Sequence, residues 1–298
     1  MEKKVSLVLS SGGARGIAHI GVIEELERRG YIITSVSGTS MGALVGGIYA
    51  AGGLQAFKEW MLGLDRMDVF SLVDFTISGR GLVKGDKVLK AMKKIIPDKC
   101  IEDFSIPFSA ISTDIINGKE IVFDKGSLYE AIRASVSIPT VFTPFEYQGM
   151  ILVDGGVVNP MPINRVKRSD NDILVVVDVN SNIPFKHIKK KEEITEETIL
   201  AKDKRFSKYV DLLTHKFNEL LPKHDKDKLG YFNLIAKTTN LMVHQLSSIA
   251  IEKGKPDVLI NISSESYGIF DFYKTEEIIE FGKAKAKIAL NAYEKKLV

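Results

Sequence analysis

The segment Gly38-Thr39-Ser40-Met41-Gly42 places a serine between two glycines in the pattern G-x-S-x-G. A predicted strand precedes it and a predicted helix follows it, and a serine on such a sharp turn exposes its hydroxyl at the end of a sheet. The helix directs its positive end toward the serine and favours negative charge there. The pattern predicts Ser40 as a nucleophile, with Gly38 and Gly42 in support. A tight turn without catalysis is the alternative, because short motifs also match by chance.

A glycine-rich loop follows the first predicted strand and consists of Ser11, Gly12, Gly13, Ala14, Arg15 and Gly16. Consecutive glycines let backbone N–H groups turn toward an anion, and the start of a helix supplies further unpaired donors. In acyl-transfer enzymes such donors hold the tetrahedral oxyanion. We therefore predict an oxyanion hole at Gly12, Gly13, Ala14 and Arg15, with Ser11 and Gly16 in support. For Arg15, anchoring the loop, neutralising charge and lying free on the surface all remain open.

The same loop approximates the dinucleotide-binding pattern G-x-G-x-x-G after a strand. Ser11 replaces the first glycine, however, and the end of the second predicted strand, residues 32–37, has no acid for a ribose hydroxyl. That strand leads directly into the Ser40 turn. These differences argue against a nucleotide cofactor.

Asp154-Gly155-Gly156 follows the predicted strand Met150–Val153. If that strand is parallel to the others, its aspartate points into the same crevice as the two earlier loops. The two glycines allow a tight turn and leave room for a partner to approach. Asp-Gly is also a common turn dipeptide without further role. By itself the third motif therefore does not identify a catalytic residue.

Alternating strand and helix patterns must position these three motifs. Val5–Ser10 is short, apolar and β-branched, which predicts a buried strand. Ile17–Arg29 has helical spacing of apolar residues, and Ile32–Val36 predicts a second strand before the Ser40 turn and a helix through Ala51. This order predicts a parallel sheet with right-handed crossovers.

Later segments continue the alternating pattern. Further strands are predicted at Phe108–Ser112, Glu120–Phe123, Met150–Val153, Ile173–Val179 and Asp257–Ile262. Further helices are predicted at Lys84–Ile96, Ser127–Ser135, Thr275–Tyr293 and over much of Lys204–Glu252. The fold class is therefore α/β, and residues 1–298 are predicted to form a single domain.

Composition excludes several classes of function. The chain has 41 Lys plus Arg against 38 Asp plus Glu, a net charge of +3, which is too weak a bias for nucleic-acid binding. Cys100 is the only cysteine, so an internal disulfide framework is excluded and a small apolar filler role is expected. The apolar N-terminal stretch Val5–Leu9 is too short for a signal-peptide core. We expect a cytoplasmic protein.

The segment from Lys186 to about Lys253 differs from the rest of the chain. Between Lys186 and Lys228 it holds 12 Lys plus Arg against 9 Asp plus Glu. This charge predicts a solvated helical insertion or lid at about 186–253 rather than sheet core. Its later apolar runs, 241–243 and 249–251, suggest a peripheral contact with membrane surfaces, and a plain solvated helical face is the alternative.

In combination and in this order, the three motifs resemble those of the patatin-like phospholipase family, particularly its compact bacterial members. That family has a glycine-rich oxyanion loop, a G-x-S-x-G turn and a D-G-G/A motif. The stretches Ala131–Pro139 and Asn159–Pro162 resemble the family's flanking sequences. The resemblance is strong over about residues 5–180 and weaker over Pro256–Ala292. Ser11 departs from the family pattern, where glycine is commoner.

The resemblance implies a three-layer α/β/α fold with a mostly parallel central sheet and a catalytic dyad of Ser40 and Asp154. It implies hydrolysis of an acyl ester lipid, of the phospholipase A or lysophospholipase type, without metal or other cofactor. The pattern carries no indication of oligomeric state. An acyltransferase and a non-catalytic lipid-binding protein on the same fold are the alternatives.

Five histidines raise a further mechanistic alternative. A serine–aspartate–histidine order would place His215 or His244 as a base in a triad. We expect His19 to be a packing residue beside the glycine-rich loop. His187, His215 and His224 lie in the lysine-rich segment, and His244 lies among apolar residues of a predicted helix.

Overall fold

The computed structural model describes residues 3–78, 81–185 and 231–297, and it contains a sheet of mixed direction with helices on both faces. The strands are β1 Lys3–Leu9, β2 Tyr31–Thr39, β3 Phe75–Ser78, β4 Gly81–Val83, β5 Phe108–Asp114, β6 Lys119–Phe123, β7 Phe145–Tyr147, β8 Met150–Asp154, β9 Ile173–Ser181 and β10 Val258–Ser263. The helices are α1 Ala18–Arg28, α2 Met41–Ala50, α3 Leu54–Leu62, α4 Arg66–Ser71, α5 Asp86–Lys93, α6 Leu128–Ser135, α7 Tyr231–Gly254 and α8 Thr275–Glu294.

The centre of the sheet is parallel. Its neighbouring strands follow the order β10-β9-β1-β2-β5, all running in the same direction. The run Ile173–Ser181 in β9 is buried along almost all of its length, as expected for a parallel strand covered on both faces. The predicted mostly parallel α/β sheet is confirmed, and the carboxyl ends of β1 and β2 lie side by side.

The other edge of the sheet is antiparallel. Strand β8 pairs with β5 in the opposite direction, and β6 and β7 pair antiparallel with β5 and β8. The expectation that Asp154 ends a parallel strand is therefore wrong. Hairpin connections make the pairs β5–β6 and β7–β8 antiparallel by necessity. The direction of β8 along β5 comes instead from a pairing between segments distant in sequence, Ser112 with Asp154.

Apolar side chains alternate between the two faces of the sheet and define a core on each. On one face, Leu7 and Leu9 of β1 pack with helices α1, α2 and α8. On the other face, Val8 of β1 packs with Leu174 and Val176 of β9, and Ala250 and Ile251 of α7 pack against them. The period-2 alternation of strand side chains produces this division. The result is the expected three-layer arrangement.

Most predicted elements match the structure to within a few residues, with local exceptions. The first predicted helix, Ile17–Arg29, begins as a 3-10 turn over Gly13–Ile17 and becomes α-helical at Ala18. Helices α3 and α4 and strands β3, β4 and β7 lie in segments for which no element was predicted. Cys100 is exposed, so its expected role as a core filler is wrong.

The chain divides into two compact units, Met1–Phe185 with Val243–Val298, and Lys186–Met242. Residues 186–230 of the predicted insertion at 186–253 lie outside the described residues, as do His187, His215 and His224. The single domain with an insertion therefore stays a prediction. Within the described ranges, no helix is long and apolar enough to cross a membrane.

Candidate active site

Ser40 occupies a strained turn between β2 and α2. Strand β2 ends at Thr39 and α2 begins at Met41, so Ser40 is the only residue between them. Its φ is 55° and its ψ is −121°. A residue with a side chain costs about 1–3 kcal/mol in such a conformation, and strain of this kind concentrates at functional sites. Ser40 also lies at the positive end of α2.

The glycines of the G-x-S-x-G pattern are required by close backbone contacts. A Cβ atom on Gly38 would lie 2.3 Å from the Gly42 carbonyl oxygen. A Cβ atom on Gly42 would lie 2.2 Å from the Leu9 carbonyl oxygen. The second contact joins the Ser40 turn to the end of β1, where the glycine-rich loop starts. Only glycine fits at both positions. The close backbone contacts therefore explain why the G-x-S-x-G pattern has glycine at both ends.

Ser135 supports the Ser40 turn from α6. The Ser40 backbone N–H donates to the Ser135 hydroxyl oxygen at 2.8 Å, and the Ser135 hydroxyl donates to the Ile111 carbonyl at 2.5 Å. Ser135 is fully buried. Its position was not predicted from the sequence, although it lies in the Ala131–Pro139 stretch that carries part of the family resemblance.

Asp154 is a buried carboxylate whose pKa is affected by the Ser40 side chain. Burial raises the pKa of Asp154 to about 6, while hydrogen bonds from the Ser40 side chain and the Gly156 amide lower it. The Gly156 N–H donates to Asp154 Oδ1 at 2.7 Å. The Asp154 N–H donates to the Ser137 carbonyl at 2.9 Å. The carboxylate is thus fixed in position and is still mostly ionised at pH 7.

Strand register explains how Asp154 reaches Ser40. Thr39 pairs with Ile111 of β5, and the next residue of β5, Ser112, pairs with Asp154. Strands β2 and β8 therefore end at neighbouring positions along β5, although they run in opposite directions. A Cβ atom on Gly155 would lie 2.3 Å from the Ile111 carbonyl oxygen, so the turn after Asp154 passes close to β5.

The glycine-rich loop leads from β1 into α1 beside this pair. Among the described residues, the amides of Gly12 and Gly13 donate to no acceptor of the protein. Gly13 has a φ of +56°, a conformation that favours glycine. A Cβ atom on Gly16 would lie 2.5 Å from Met41 Cγ, so the loop touches the start of α2. Two backbone donors are therefore available next to the Ser40 turn.

Two other amides of the loop are already used. The Ser11 N–H donates to the Pro160 carbonyl at 2.9 Å, and the Ala14 N–H donates to the Ile269 carbonyl at 3.0 Å. Ser11 also approaches Gly156, since a Cβ atom there would lie 3.3 Å from Ser11 Oγ. Of the four residues expected to form the oxyanion hole, Ala14 therefore has a backbone amide that is already bonded within the protein.

Arg15 anchors the glycine-rich loop to the sheet. Its guanidinium donates to the carbonyls of Val179 and Tyr267, each at 3.0 Å, and to Asn180 Oδ1 at 2.8 Å. The side chain is only 8% exposed, which excludes the surface alternative. Burial lowers its pKa, while the charge of Asp178 raises it. The geometry corresponds to loop anchoring, and Asn180 is a supporting residue that the sequence did not indicate.

The two histidines among the described residues, His19 and His244, differ in burial and in the groups that surround them. His19 is completely buried, and its Nε2–H donates to the Ser10 carbonyl at 3.0 Å. Burial lowers the pKa of His19 to about 4, so it is neutral at pH 7. This agrees with the expected packing role beside the loop. His244 is half-buried on α7 and lies within electrostatic range of Asp178, whose pKa is raised by burial. Within the described ranges, no group of His, Cys, Asp or Glu side chains could hold a metal ion.

A serine on a strand-to-helix turn beside a glycine-rich loop, within a three-layer α/β unit, is the arrangement of an ester-processing α/β protein. Comparison with known families identifies the group more closely. Residues 7–166, more than half of the chain, match the family described as Patatin-like phospholipase. The chain belongs to this family of lipid hydrolases.

Curated relatives support the assignment over almost the whole chain. An uncharacterised NTE family protein of Mycobacterium tuberculosis is 30% identical, and the alignment covers 98% of this chain and 92% of that protein. The lysophospholipase NTE1 of Candida glabrata is 30% identical over 97% of this chain but only 16% of its own length. Among solved structures, VipD from Legionella pneumophila has a TM-score of 0.45 and 13% identity, covering 98% of this chain and 67% of that one.

Proposed function

We propose that this chain hydrolyses the acyl ester bond of a phospholipid or lysophospholipid. Ser40 is the nucleophile, Asp154 is its base, and the glycine-rich loop is the oxyanion hole. The observation that carries the proposal is the strand register that brings the buried Asp154 carboxylate next to the strained Ser40, whose side chain lowers the pKa of that carboxylate. A base with a pKa near the working pH combines the correct protonation state with a useful driving force for proton transfer.

The chemistry follows from these positions. Asp154 accepts the hydroxyl proton of Ser40 while Ser40 Oγ attacks the ester carbonyl carbon. The negative oxygen that forms is stabilised by the Gly12 and Gly13 amides, and the positive end of α2 adds to this field. The protonated Asp154 then donates its proton to the leaving alkoxide, and an acyl-enzyme remains. Asp154 then removes a proton from water, which attacks the acyl-enzyme carbonyl. The protonated Asp154 returns this proton to Ser40 Oγ as the fatty acid leaves.

Several observations favour this proposal over the alternatives. A non-catalytic protein would gain nothing from holding Ser40 in a strained conformation next to a buried carboxylate. The residue before Ser40 is Thr39, whereas acyl-carrier-protein transacylases usually have histidine at this position. This difference argues against the acyltransferase alternative. The name of the Candida glabrata relative, lysophospholipase, favours a lysophospholipid substrate.

A lipid panel tests the proposal directly. Purified protein is incubated with phosphatidylcholine, lysophosphatidylcholine and triacylglycerol, and released fatty acid is measured. We expect release by the wild type and a loss of at least about 1000-fold in Ser40→Ala, because removal of a nucleophile leaves only the binding and oxyanion contributions. Ser248→Ala, which changes an exposed serine on α7, is the control and should retain activity. Equal release by Ser40→Ala would contradict the assignment.

We also propose a cytoplasmic location and a peripheral contact with lipid surfaces. Two neighbouring large apolar side chains on α7 support the contact because more than half of each is exposed: Leu241 (59%) and Met242 (52%). Sedimentation with anionic vesicles measures it, and binding should weaken as salt rises, since the Debye length is about 8 Å at physiological ionic strength. Absence of binding would leave this helix face without a lipid role.

A further inference from the structure

The loop between β10 and α8, residues 264–274, packs against the glycine-rich loop. The Ile269 carbonyl accepts the Ala14 N–H at 3.0 Å, and the Tyr267 carbonyl accepts a guanidinium N–H of Arg15 at 3.0 Å. These two bonds join the segment Tyr267–Ile269 to consecutive residues of the loop. The position of the candidate oxyanion hole therefore depends on this later part of the chain.

Ile269 touches the residue that supplies one of the two free amides. A Cβ atom on Gly13 would lie 2.8 Å from the Ile269 carbonyl oxygen and 3.2 Å from Ile269 Cβ. The two residues are thus in direct backbone contact. The Ile269 side chain is nevertheless 42% exposed. A partly exposed, apolar, branched side chain therefore lies next to Gly13.

The segment that carries Ile269 is well anchored. The Gly268 N–H donates to Asp271 Oδ2 at 3.1 Å, and Lys274 Nζ donates to the same oxygen at 3.0 Å. The Tyr267 hydroxyl donates to Glu277 Oε1 at 3.1 Å, and its ring packs at 5.9 Å against Phe281. A side chain supported in this way keeps its place when a ligand binds.

We propose that Ile269 is a specificity-determining residue whose side chain contacts the acyl chain of the substrate close to the ester carbonyl. The inference rests on the proposed function. An oxyanion held by the Gly13 amide places the carbonyl carbon beside the contact between Gly13 and Ile269. One side of a phospholipid ester is an aliphatic chain and the other is a polar glycerophosphate. Contact between the exposed isoleucine and the aliphatic side is favourable, because it removes apolar surface of both from water.

Substitution of Ile269 by alanine separates this role from loop positioning. Ile269→Ala keeps the backbone carbonyl that accepts the Ala14 N–H, so the glycine-rich loop keeps its anchor. Rates are measured with p-nitrophenyl esters from acetate to dodecanoate. We expect kcat/KM for acetate to stay within about twofold, and kcat/KM for octanoate and longer esters to fall about tenfold, mainly through KM.

Two further variants control the experiment. Ile269→Leu should restore most of the selectivity for long chains, because it restores the apolar volume. Ile32→Ala removes an isoleucine with similar exposure, 46%, at the start of β2 and should leave the series unchanged. An equal loss for all esters, or no loss, in folded Ile269→Ala would overturn the inference. A wild type that hydrolyses no ester would contradict the proposed function itself, and the inference would fall with it.

Discussion

At the scale of single residues, burial shifts the pKa values of the two titratable groups of the site in opposite directions. The pKa of Asp154 rises to about 6, and the pKa of His19 falls to about 4. In both cases burial favours the neutral form. At pH 7 Asp154 is nevertheless mostly ionised and can accept a proton, while His19 is neutral and donates its Nε2–H to the Ser10 carbonyl.

The first prediction concerns the pH dependence of activity. Since Asp154 must be ionised to act as a base, kcat/KM should fall as the pH decreases through about 6. A limb near 6 overlaps the ordinary histidine pKa of about 6.5, so the pH profile alone does not identify the base. Variants therefore decide: Asp154→Asn should lose nearly all activity, while His19→Gln, His215→Gln and His244→Gln should each retain most of it. A folded, active Asp154→Asn beside an inactive histidine variant would indicate a triad.

The second prediction concerns stability. Ionised Asp154 is destabilising in the folded state, because its pKa rises from 3.8 unfolded to about 6 folded. The stability that the fold gains from protonated Asp154 is fully present below pH 3.8. It is lost as the pH rises through about 6. Asp154→Asn should therefore raise the free energy of unfolding above pH 6, by at most about 3 kcal/mol. The gain over wild type should grow between pH 4 and 6 in denaturant titrations.

Asp114 provides a control of opposite sign. Hydrogen bonds from the Asn117 side chain and from the Ile116 and Asn117 amides lower its pKa, although burial opposes them. Asp114→Asn should therefore lower stability at neutral pH. If both variants change stability in the same direction, burial of Asp154 is not the cause.

At the scale of elements, the 3-10 turn Gly13–Ile17 and helix α1 hold the free amides in place. The third prediction is that Gly13→Val abolishes turnover while the protein still folds, because a side chain at φ +56° would push against the Ile269 carbonyl 2.8 Å away. Loss of one oxyanion donor typically costs about 100- to 1000-fold in rate. Esterase rates and circular dichroism should be measured on the same sample.

Gly30 offers a matched control for that substitution. It follows α1 with a φ of +76°, and no atom lies within 4 Å of the position that its Cβ would take. Gly30→Val therefore introduces the same kind of backbone strain without a contact near the loop. It should lose stability and keep its rate. Near-normal turnover in folded Gly13→Val would remove the loop from the mechanism.

At the scale of the whole molecule, the last helix of the chain supports the first. Helices α1 and α8 cross so closely that a Cβ atom on Gly282 would lie 2.2 Å from the Ala18 carbonyl oxygen. At the other end of the contact, Arg29 donates to Glu25 and to Glu294, each at 2.7 Å. Because α1 continues from the 3-10 turn of the glycine-rich loop, α8 supports the site through its packing against α1.

The fourth prediction tests this coupling. Gly282→Val should lower the free energy of unfolding by about 3 kcal/mol or more, since the carbonyl of Ala18 cannot yield to a side chain. Activity should fall with it as α1 shifts. Ala284→Val places the same residue on an exposed position of α8 and should be close to wild type in both measurements. An unchanged melting temperature in Gly282→Val would show that the helix contact adjusts freely.

Local sequence determined the three motifs, their order and most of the elements that carry them. Strand and helix periodicities depend on neighbouring residues, so β1, β2, β9 and α8 were predictable to within a few residues. The glycines at 38 and 42 could be singled out from the sequence because a turn between strand and helix has few geometries. The family resemblance rests on the same local patterns.

Contacts between distant residues decided the rest. The direction of β8 depends on its pairing with β5, which brings Asp154 beside Ser40 in a way that no local pattern encodes. The same holds for Ser135 under the Ser40 turn and for Arg15 bound to Val179 and Tyr267. The identity of the free amides, Gly12 and Gly13, also depended on which carbonyls lie nearby. Hydrogen bonding and burial of a side chain are set by the whole fold, and only the tertiary structure reveals them.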